Sequence, residues 1–221
     1  FDVIHFQKQQ KFIAKMHNPL LYLFKGIDIL HSFQSELDNS WDIFYAKHAN
    51  SKTRQTDRRK LRKLNDIGSV SLIIGESNSE KNEIVNKMIR QKSRRYRETG
   101  VWDMLAIPEH KNFYHKLADI QDNNLNIHCA ALFVGDTVVA THIGILDKDT
   151  FYYLMPAHEG GDWEKYSPGR LLLEHLLEWS IQNKLKFFDF TVGREQYKKD
   201  WCDTITPLIE TLEAITIKGK I

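Results

Sequence analysis

Cysteines are scarce in this sequence and long apolar runs are absent, and both facts narrow the kinds of protein it can be. Only Cys129 and Cys202 occur among 221 residues, far apart and without metal-ligand spacing, so neither a disulfide framework nor a zinc site is indicated. No window of about 18 uninterrupted apolar residues is present, and the N-terminus lacks the pattern of a signal peptide. We therefore predict a cytoplasmic protein without membrane insertion, and we assign no metal to any of its ten histidines.

Net charge is small, but positive charge is concentrated locally. The chain carries a formal charge of only +2, and 42% of its residues are hydrophobic, which argues against disorder. Cations gather in residues 51–68 and 90–100, and in the first run Arg54, Arg58 and Arg62 share one helical face. This face is either simply solvated or binds an anionic cofactor, an anionic substrate or nucleic acid. Because the first run lacks aromatics that stack on bases, we predict a small anion rather than nucleic acid.

Periodicity and turn residues predict a mixed α/β (α+β) order of elements. After the basic helix, residues 69–76 alternate as a strand does, and a helix capped by Ser79 follows. A second helix is predicted over residues 108–123. Three strand-like runs divided by turns, the first turn at Gly135, then indicate an antiparallel meander. A leucine-rich helix, a short strand and a last strand over residues 207–217 complete the chain.

The leucine-rich helix in "KYSPGRLLLEHLLEWSIQNKLKFFDF" begins at a marked position. Ser167 is a good N-cap, Pro168 fits the first helical position, and Gly169 leaves the first turn unshielded. Free N–H groups and the positive end of the helix dipole suit a phosphate, although many such turns bind only water. Polar residues recur every four positions on the face predicted to be exposed: Glu174, Glu178 and Gln182.

Three blocks of the sequence resemble one known family. "SPGRLLLEHLLEWSIQNKLKFFDF", "VGREQYKKDW" and the upstream "SKTRQTDRRKLRKL" are similar to the acetyltransferases associated with cellulose and other polysaccharide biosynthesis, a branch of the N-acetyltransferase (GNAT) superfamily. That branch is related to the Fem peptidyl transferases, which use aminoacyl-tRNA. The resemblance implies an acyl-CoA N-acyltransferase fold, with a mixed, mostly antiparallel central sheet flanked by helices. It also implies a division into residues 1–39, the rear part of a preceding lobe, and residues 40–221, the acyltransferase domain.

The resemblance implies acetyl-coenzyme A, or another acyl-coenzyme A, as the donor. Its phosphates would meet Ser167, Gly169 and Arg170, with N–H groups from Gly169 and Arg170, and Lys198 as a further cation. The loop has a single glycine, whereas the usual pyrophosphate loop of the superfamily carries a Gln or Arg and two spaced glycines. Coenzyme A is thus implied by the family and not by the motif.

The implied reaction is attack by an amine, or less often a hydroxyl, on a thioester carbonyl. His142, on the central strand of the meander, is one candidate base, and its alternative is a satisfied core histidine. Asp189 either orients the substrate amine or a base, or caps the turn that follows. Glu195 is a second candidate base and Tyr197 a proton donor to the departing thiolate, unless this segment is only a solvated turn.

Three functions remain open at the level of sequence. The first is an acyl-coenzyme A-dependent acyltransferase acting on a sugar, an amino sugar or a related polar small molecule in envelope polysaccharide assembly. The second is a Fem-like transferase in which the basic helices bind tRNA, with affinity that falls steeply as salt rises. The third is a non-catalytic binding module with the same fold.

Overall fold

The computed structural model describes residues 2–13, 15–120, 125–193 and 195–220. Its α-helices are α1 (Leu20–Leu23), α2 (Trp41–His48), α3 (Ser51–Asn65), α4 (Asn78–Thr99), α5 (Pro108–Ala118), α6 (Pro168–Gln182) and α7 (Gln196–Trp201). Its strands are β1 (Val3–Gln10), β2 (Phe12–Ile13), β3 (Met16–His17), β4 (Gly26–Glu36), β5 (Val70–Ile74), β6 (Asn126–Val134), β7 (Thr137–Asp147), β8 (Thr150–His158), β9 (Phe187–Val192) and β10 (Thr204–Ala214). Short 3-10 helices span Met104–Ala106, Gly161–Tyr166 and Ile217–Lys220. The last part of the helix predicted over 108–123, residues 121–123, lies outside the described residues.

The chain divides into two compact units. The larger unit is Glu36–Phe188, and the smaller unit joins Phe1–Ser35 to Asp189–Ile221. In the smaller unit β10 pairs antiparallel with both β1 and β4, so the C-terminal strand lies between two N-terminal strands. This pairing groups residues 189–221 with the first 35 residues, whereas the sequence-based division placed them with the acyltransferase domain.

The larger unit is built on an antiparallel sheet with the order β8-β7-β6-β5. The predicted meander is confirmed, since β6 pairs with β7 and β7 with β8 through short turns. The predicted fold class, a mostly antiparallel sheet flanked by helices, is confirmed as well.

Successive residues of β6 and β7 face opposite sides of this sheet, and each side buries a different helix. On one side Cys129 and Ile143 pack in the same core cluster as Val85 and Met88 of α4. On the other side the ring of His128 lies 4.6 Å from the ring of Trp179, which belongs to α6. Apolar side chains of α6 are fully or almost fully buried: Leu171, Leu172, Leu173, Leu176 and Leu177. The alternation of strand side chains therefore gives the unit two apolar layers.

Helix α4 begins two residues earlier than the predicted cap suggested. Ser77, not Ser79, is the N-cap: its hydroxyl accepts from the Glu80 N–H at 3.2 Å, and the Glu80 carboxylate accepts from the Ser77 N–H at 2.9 Å. This reciprocal pair is a capping box, and it satisfies two backbone donors at the helix start.

Across the described ranges, no helix combines the length and the apolar content needed to cross a bilayer.

Candidate functional site

A cavity of about 320 Å³ lies at the N-terminal end of α6. Its lining comes from α4, the end of β8, the 3-10 turn before α6 and the first turn of α6: Arg95, His158, Glu164, Ser167, Pro168, Gly169 and Arg170. Ser167, Gly169 and Arg170, which were predicted to bind the donor phosphates, thus border one space.

The backbone at this helix start offers fewer donors than the sequence suggested. Helix α6 begins at Pro168 as predicted, but Ser167 has a φ of 55° and its side chain makes no capping hydrogen bond. The Ser167 carbonyl accepts from the N–H groups of Arg170, at 3.0 Å, and Leu171, at 3.1 Å. Among the described contacts only the Gly169 N–H of this turn has no acceptor. One backbone donor, rather than the two predicted from Gly169 and Arg170, is therefore available to a ligand.

Glycine at position 169 is explained by its close approach to His158. A Cβ atom added there would lie 3.0 Å from His158 Cδ2, which is tighter than ordinary van der Waals contact. Any larger residue at this position would push against the imidazole ring that lines the cavity. The absence of a side chain keeps the Gly169 N–H reachable.

Two cations that the sequence analysis did not single out belong to this site. Lys60 of α3 donates from Nζ to the Ser167 hydroxyl at 2.7 Å. Arg95 of α4 lines the cavity, with its guanidinium 3.9 Å from the Glu164 carboxylate. A sequence signal for Lys60 did exist, because helical spacing puts it on the same face as the apolar Leu64, four residues later.

Arg170 is held by carboxylates and does not turn freely toward a ligand. Its Nε and Nη2 donate to Asp57 Oδ2 at 3.2 and 3.1 Å, and its Nε also lies 3.1 Å from Glu174 Oε1. Tyr45 donates its hydroxyl to the same Asp57 oxygen at 2.9 Å. The structure therefore does not support the predicted role of Arg170 as the phosphate anchor, because its charge is already neutralised.

Glu174 also differs from the prediction that it lies on an exposed polar stripe. The residue is only 8% exposed, because it joins the cluster around Arg170. Burial, followed by the nearby Asp57 carboxylate, raises the pKa of Glu174. Burial likewise raises the pKa of Tyr45, with Glu174 as the next cause. Protonation of Glu174 would leave Asp57 and Arg170 as a neutral pair inside the protein.

The arginine stripe of α3 does not line this cavity. Arg54 donates to the carbonyl of Ala49 at 2.5 Å and so satisfies the C-terminal end of α2. Arg58 and Arg62 are exposed and have no partner among the described residues. Of the three predicted anion-binding residues, two therefore remain available to an external ligand, on a face of α3 other than that of Lys60.

His142 lies in the core, on the face of the sheet that α6 covers. Its ring has no exposed surface, stacks on Tyr153 with centroids 4.5 Å apart, and lies 6.4 Å from the ring of His128. Burial and the neighbouring His128 hold the pKa of His142 well below its usual range. Among the described residues neither ring nitrogen has a hydrogen-bond partner. This placement does not support the predicted role of His142 as a base, because no acceptor can reach the ring while it is packed in this way.

In the smaller unit Asp189 and Lys198 are tied to the local backbone. Asp189 accepts from the Thr191 N–H at 2.6 Å, so it caps the turn that follows, which was the alternative to a role in orienting the substrate. Burial raises the pKa of Asp189. Lys198 is 4% exposed and donates to the Val192 carbonyl at 2.7 Å. Its ammonium also lies 3.1 Å from the Glu195 carboxylate. The predicted use of Lys198 as a cofactor cation is therefore not supported.

Glu195 and Tyr197 remain suitable for acid–base chemistry. The Glu195 side chain is 55% exposed, although it pairs with Lys198. Burial, then Glu195, raises the pKa of Tyr197, so the phenol stays protonated at neutral pH. Gly193 leads into this segment with a φ of 157°, and a Cβ there would meet Glu195 Oε2. Arg194, which belongs to the "VGREQYKKDW" block, lies outside the described residues.

Within the described part of the chain, no group of three or more His, Cys, Asp or Glu side chains is arranged to hold a metal ion.

Comparison with known families and structures gives a consistent result for the fold. A family model described as an acetyltransferase (GNAT) domain matches residues 51–199. No curated protein matches the sequence.

Several solved structures share the fold at low sequence identity. FemX superposes with a TM-score of 0.60 at 8% identity, over 95% of this chain and 65% of FemX. The C-terminal domain of a lysylphosphatidylglycerol synthetase from Agrobacterium fabrum gives a TM-score of 0.60 at 10% identity, over 97% of this chain and 69% of that domain. L-PGS from Bacillus licheniformis gives a TM-score of 0.57 at 8% identity, over 91% of this chain and 65% of L-PGS. The chain thus spans about two thirds of the length of each of these proteins.

Proposed function

Because the chain belongs to the acetyltransferase (GNAT) domain family, whose model matches well over half of it, we propose a specific acyl transfer. The donor is acetyl-coenzyme A or another acyl-coenzyme A. The acceptor is an amine, or a hydroxyl, of a sugar-like or other polar small molecule. Domains of this family generally use acyl-coenzyme A, which supports the choice of donor.

The observation that carries the proposal is the positive character of the cavity at the start of α6. Arg95 and the Gly169 N–H, which has no acceptor among the described contacts, border the cavity at the positive end of the helix dipole. The Lys60 ammonium lies 2.7 Å from the Ser167 hydroxyl that lines the cavity, and Glu164 is the one lining carboxylate in the described structure, 3.9 Å from the Arg95 guanidinium. Such a combination suits the phosphate groups of coenzyme A, since charged donors and helix N-termini both favour anions. Lys60 takes the place that the sequence assigned to Arg170.

The transfer itself needs one proton acceptor and one proton donor. The nitrogen lone pair of the acceptor forms a bond to the thioester carbonyl carbon, the carbon–sulfur bond breaks, and the thiolate takes up a proton. We propose Glu195 as the group that accepts the proton from the amine and Tyr197 as the group that protonates the thiolate. The Asp189 carboxylate caps its own turn by accepting from the Thr191 N–H, and His142 takes no part in the reaction.

The test is a calorimetric titration with coenzyme A, with a matched pair of lysine variants. Lys60→Gln removes the ammonium that donates to Ser167, and Lys63→Gln removes an exposed lysine of the same helix that forms no hydrogen bond or ion pair with a described residue of the cavity. We expect about tenfold weaker binding for Lys60→Gln, as for the loss of one charged contact, and no change for Lys63→Gln. Equal affinities in the two variants would remove the cavity as the phosphate site.

Turnover is measured as release of the coenzyme A thiol from acetyl-coenzyme A, with glucosamine as a first acceptor. Glu195→Gln is expected to slow thiol release by roughly 10²–10⁴ with little change in coenzyme A affinity. Binding of coenzyme A by the parent protein without thiol release from any acceptor would favour a non-catalytic binding module.

A second candidate, transfer from an aminoacyl-tRNA, is favoured by two observations. FemX and the lysylphosphatidylglycerol synthetase domain share the fold, and Arg58 and Arg62 are exposed and unpaired within the described structure. Filter binding with tRNA at low and at physiological salt tests it, with an Arg58→Gln/Arg62→Gln double variant. For an acyl-coenzyme A enzyme we expect weak retention that the double variant does not change. Tight, salt-sensitive retention that the double variant loses would reverse the order of the two candidates.

A further inference from the structure

A second recess, distinct from the cavity at α6, lies between α4 and α5. It is a groove of about 630 Å³, and the lining residues that matter here are Glu83, Asn86, Lys87, Arg90, Lys111 and His115. None of them lines the cavity at the start of α6. The groove lies where α4 and α5 pack together, next to the core cluster that α4 forms with β6 and β7.

Three cations and one carboxylate line this groove, so among the described residues positive charge is in excess. Lys87, Arg90 and Lys111 form no ion pair among the described residues, and Glu83 is the only carboxylate that lines the groove. Farther along α4, by contrast, Arg94 lies 2.6 Å from Glu98, and Arg95 lies 3.9 Å from Glu164. Because Lys87 and Lys111 are only partly exposed, their mutual repulsion is incompletely screened by water. An anion in the groove would relieve that repulsion.

His115 forms a fixed wall of the groove. Its Nδ1 lies 2.6 Å from Asn82 Oδ1, and the Asn82 amide donates to Asp119 Oδ1 at 2.6 Å and to the Asn78 carbonyl at 2.9 Å. Since the amide nitrogen of Asn82 serves two acceptors, its oxygen must accept the proton on His115 Nδ1. In the neutral ring Nε2 is then an acceptor, able to receive a hydrogen bond from a ligand O–H.

We propose that this groove binds a small molecule that carries a phosphate monoester. Lys87, Arg90 and Lys111 hold the phosphate oxygens, and His115 Nε2 accepts from a phosphate O–H or from a neighbouring hydroxyl. The volume falls within the range of small-ligand sites, roughly 300–1,000 Å³. The proposal does not depend on the identity of the acyl donor, because the two recesses share no lining residue.

The experiment uses the ¹⁵N-labelled chain and follows its amide shifts during titration with glucose 6-phosphate, inorganic phosphate and glucose. We expect saturable shifts along α4 and α5 with glucose 6-phosphate and none with glucose. Tighter binding of glucose 6-phosphate than of inorganic phosphate supports a phosphorylated small molecule, and equal binding supports the phosphate group itself as the feature recognised. Absence of saturable shifts with both phosphates overturns the proposal.

Two substitutions of opposite sign and one control locate the site. Asn86→Asp adds a carboxylate in the groove and is expected to weaken binding about tenfold, whereas Glu83→Gln removes one and is expected to tighten it. Asn112→Asp makes the same change at an exposed position of α5 that does not line the groove, and it should leave the affinity unchanged.

All three side chains are exposed and nearly isosteric with their replacements, so folding is expected to be preserved and melting curves verify this. Equal weakening by Asn112→Asp and Asn86→Asp would show a general charge effect and would overturn the proposal. Lys60→Gln, which alters the cavity at α6, is expected to leave phosphate binding to this groove intact. That result also separates a failure of this proposal from a failure of the proposed acyl transfer.

Discussion

At the scale of single residues, the start of α6 combines a missing side chain with a cation from another helix. A Cβ at position 169 would press on His158, so glycine stands there and no side chain covers its N–H. Lys60 brings an ammonium to the Ser167 hydroxyl. Arg170, one residue further on, also borders the cavity, but its guanidinium is paired with Asp57 and Glu174. Within one helical turn, Gly169 therefore presents a hydrogen-bond donor to the cavity, whereas Arg170 holds α6 against α3.

A pair of substitutions at position 169 separates the effect of charge from that of size. Gly169→Asp and Gly169→Asn add side chains of nearly equal volume against His158, but only aspartate adds negative charge beside the phosphates. We expect coenzyme A to bind the aspartate variant about tenfold more weakly than the asparagine variant, from the charged contact and the helix dipole. Calorimetry on the two variants measures the ratio. A ratio near one would mean that the phosphates lie elsewhere.

At the scale of elements, the start of α4 shows how two similar residues differ in effect. Ser77 and Ser79 are both serines close to the helix start, but only Ser77 has the extended backbone, with φ of −81° and ψ of 156°, that lets a side chain cap the turn. Glu80 stands three residues after Ser77, which is the spacing of a capping box. Its carboxylate accepts from Ser77 and Glu76, and these hydrogen bonds lower the pKa of Glu80.

Removal of each serine hydroxyl tests this assignment. Ser77→Ala should lower the free energy of unfolding by about 1 kcal/mol, the usual cost of losing an N-cap. Ser79→Ala, an exposed position without a capping hydrogen bond, should change it by less than about 0.5 kcal/mol. Urea denaturation of both variants gives the comparison, and equal losses would contradict the observed cap.

At the scale of the whole molecule, two buried histidines make stability depend on pH. His128 and His142 lie in the layer under α6, and their ring nitrogens have no hydrogen-bond partner in the part of the chain that the structure describes. Burial, then Lys81, lowers the pKa of His128 from 6.5 to about 4. Between those two values the unfolded chain binds a proton that the folded chain does not. The free energy of unfolding therefore falls as the pH falls through this range.

Glu174 contributes with the opposite sign. Its pKa is raised in the folded chain, so the folded state holds the proton over a range in which the unfolded state has lost it. That contribution to stability is present at low pH and is lost as the pH rises. The free energy of unfolding of the whole chain thus receives pH-dependent contributions of opposite sign. The contribution of one histidine is measured by comparing the parent with a variant that lacks that histidine.

His128→Phe keeps an aromatic ring beside Trp179 and removes the titrating group. Between about pH 6 and pH 4.5 the parent should lose up to about 1.4 kcal/mol of stability per pH unit more than the variant. The measurement is urea denaturation at several pH values. His31→Phe, at an exposed position, is the control and should keep the pH dependence of the parent. Identical slopes in the parent and in His128→Phe would contradict the assignment.

Local pattern was enough to determine much of this protein. The meander, the start of α6 at Pro168 and the helical arginine face of α3 depend on contacts between residues close in sequence, so turn residues and periodicity predict them. The resemblance of three sequence blocks predicted the acetyltransferase domain that the family match bears out. Ser167 and Gly169 line the cavity because both belong to that same helix start.

Only tertiary structure decided which side chains face inward and which charges are already paired. Lys60 meets Ser167 across 107 positions of sequence, and Asp57 meets Arg170 across 113. His142 sits on a strand with both faces covered, where alternation alone does not tell a reactive ring from a packed one. Residues 189–221 group with the N-terminus because β10 pairs with strands more than 160 positions earlier. Such contacts form only when distant segments fold together, so the pattern of any single stretch of the sequence does not predict which residues meet.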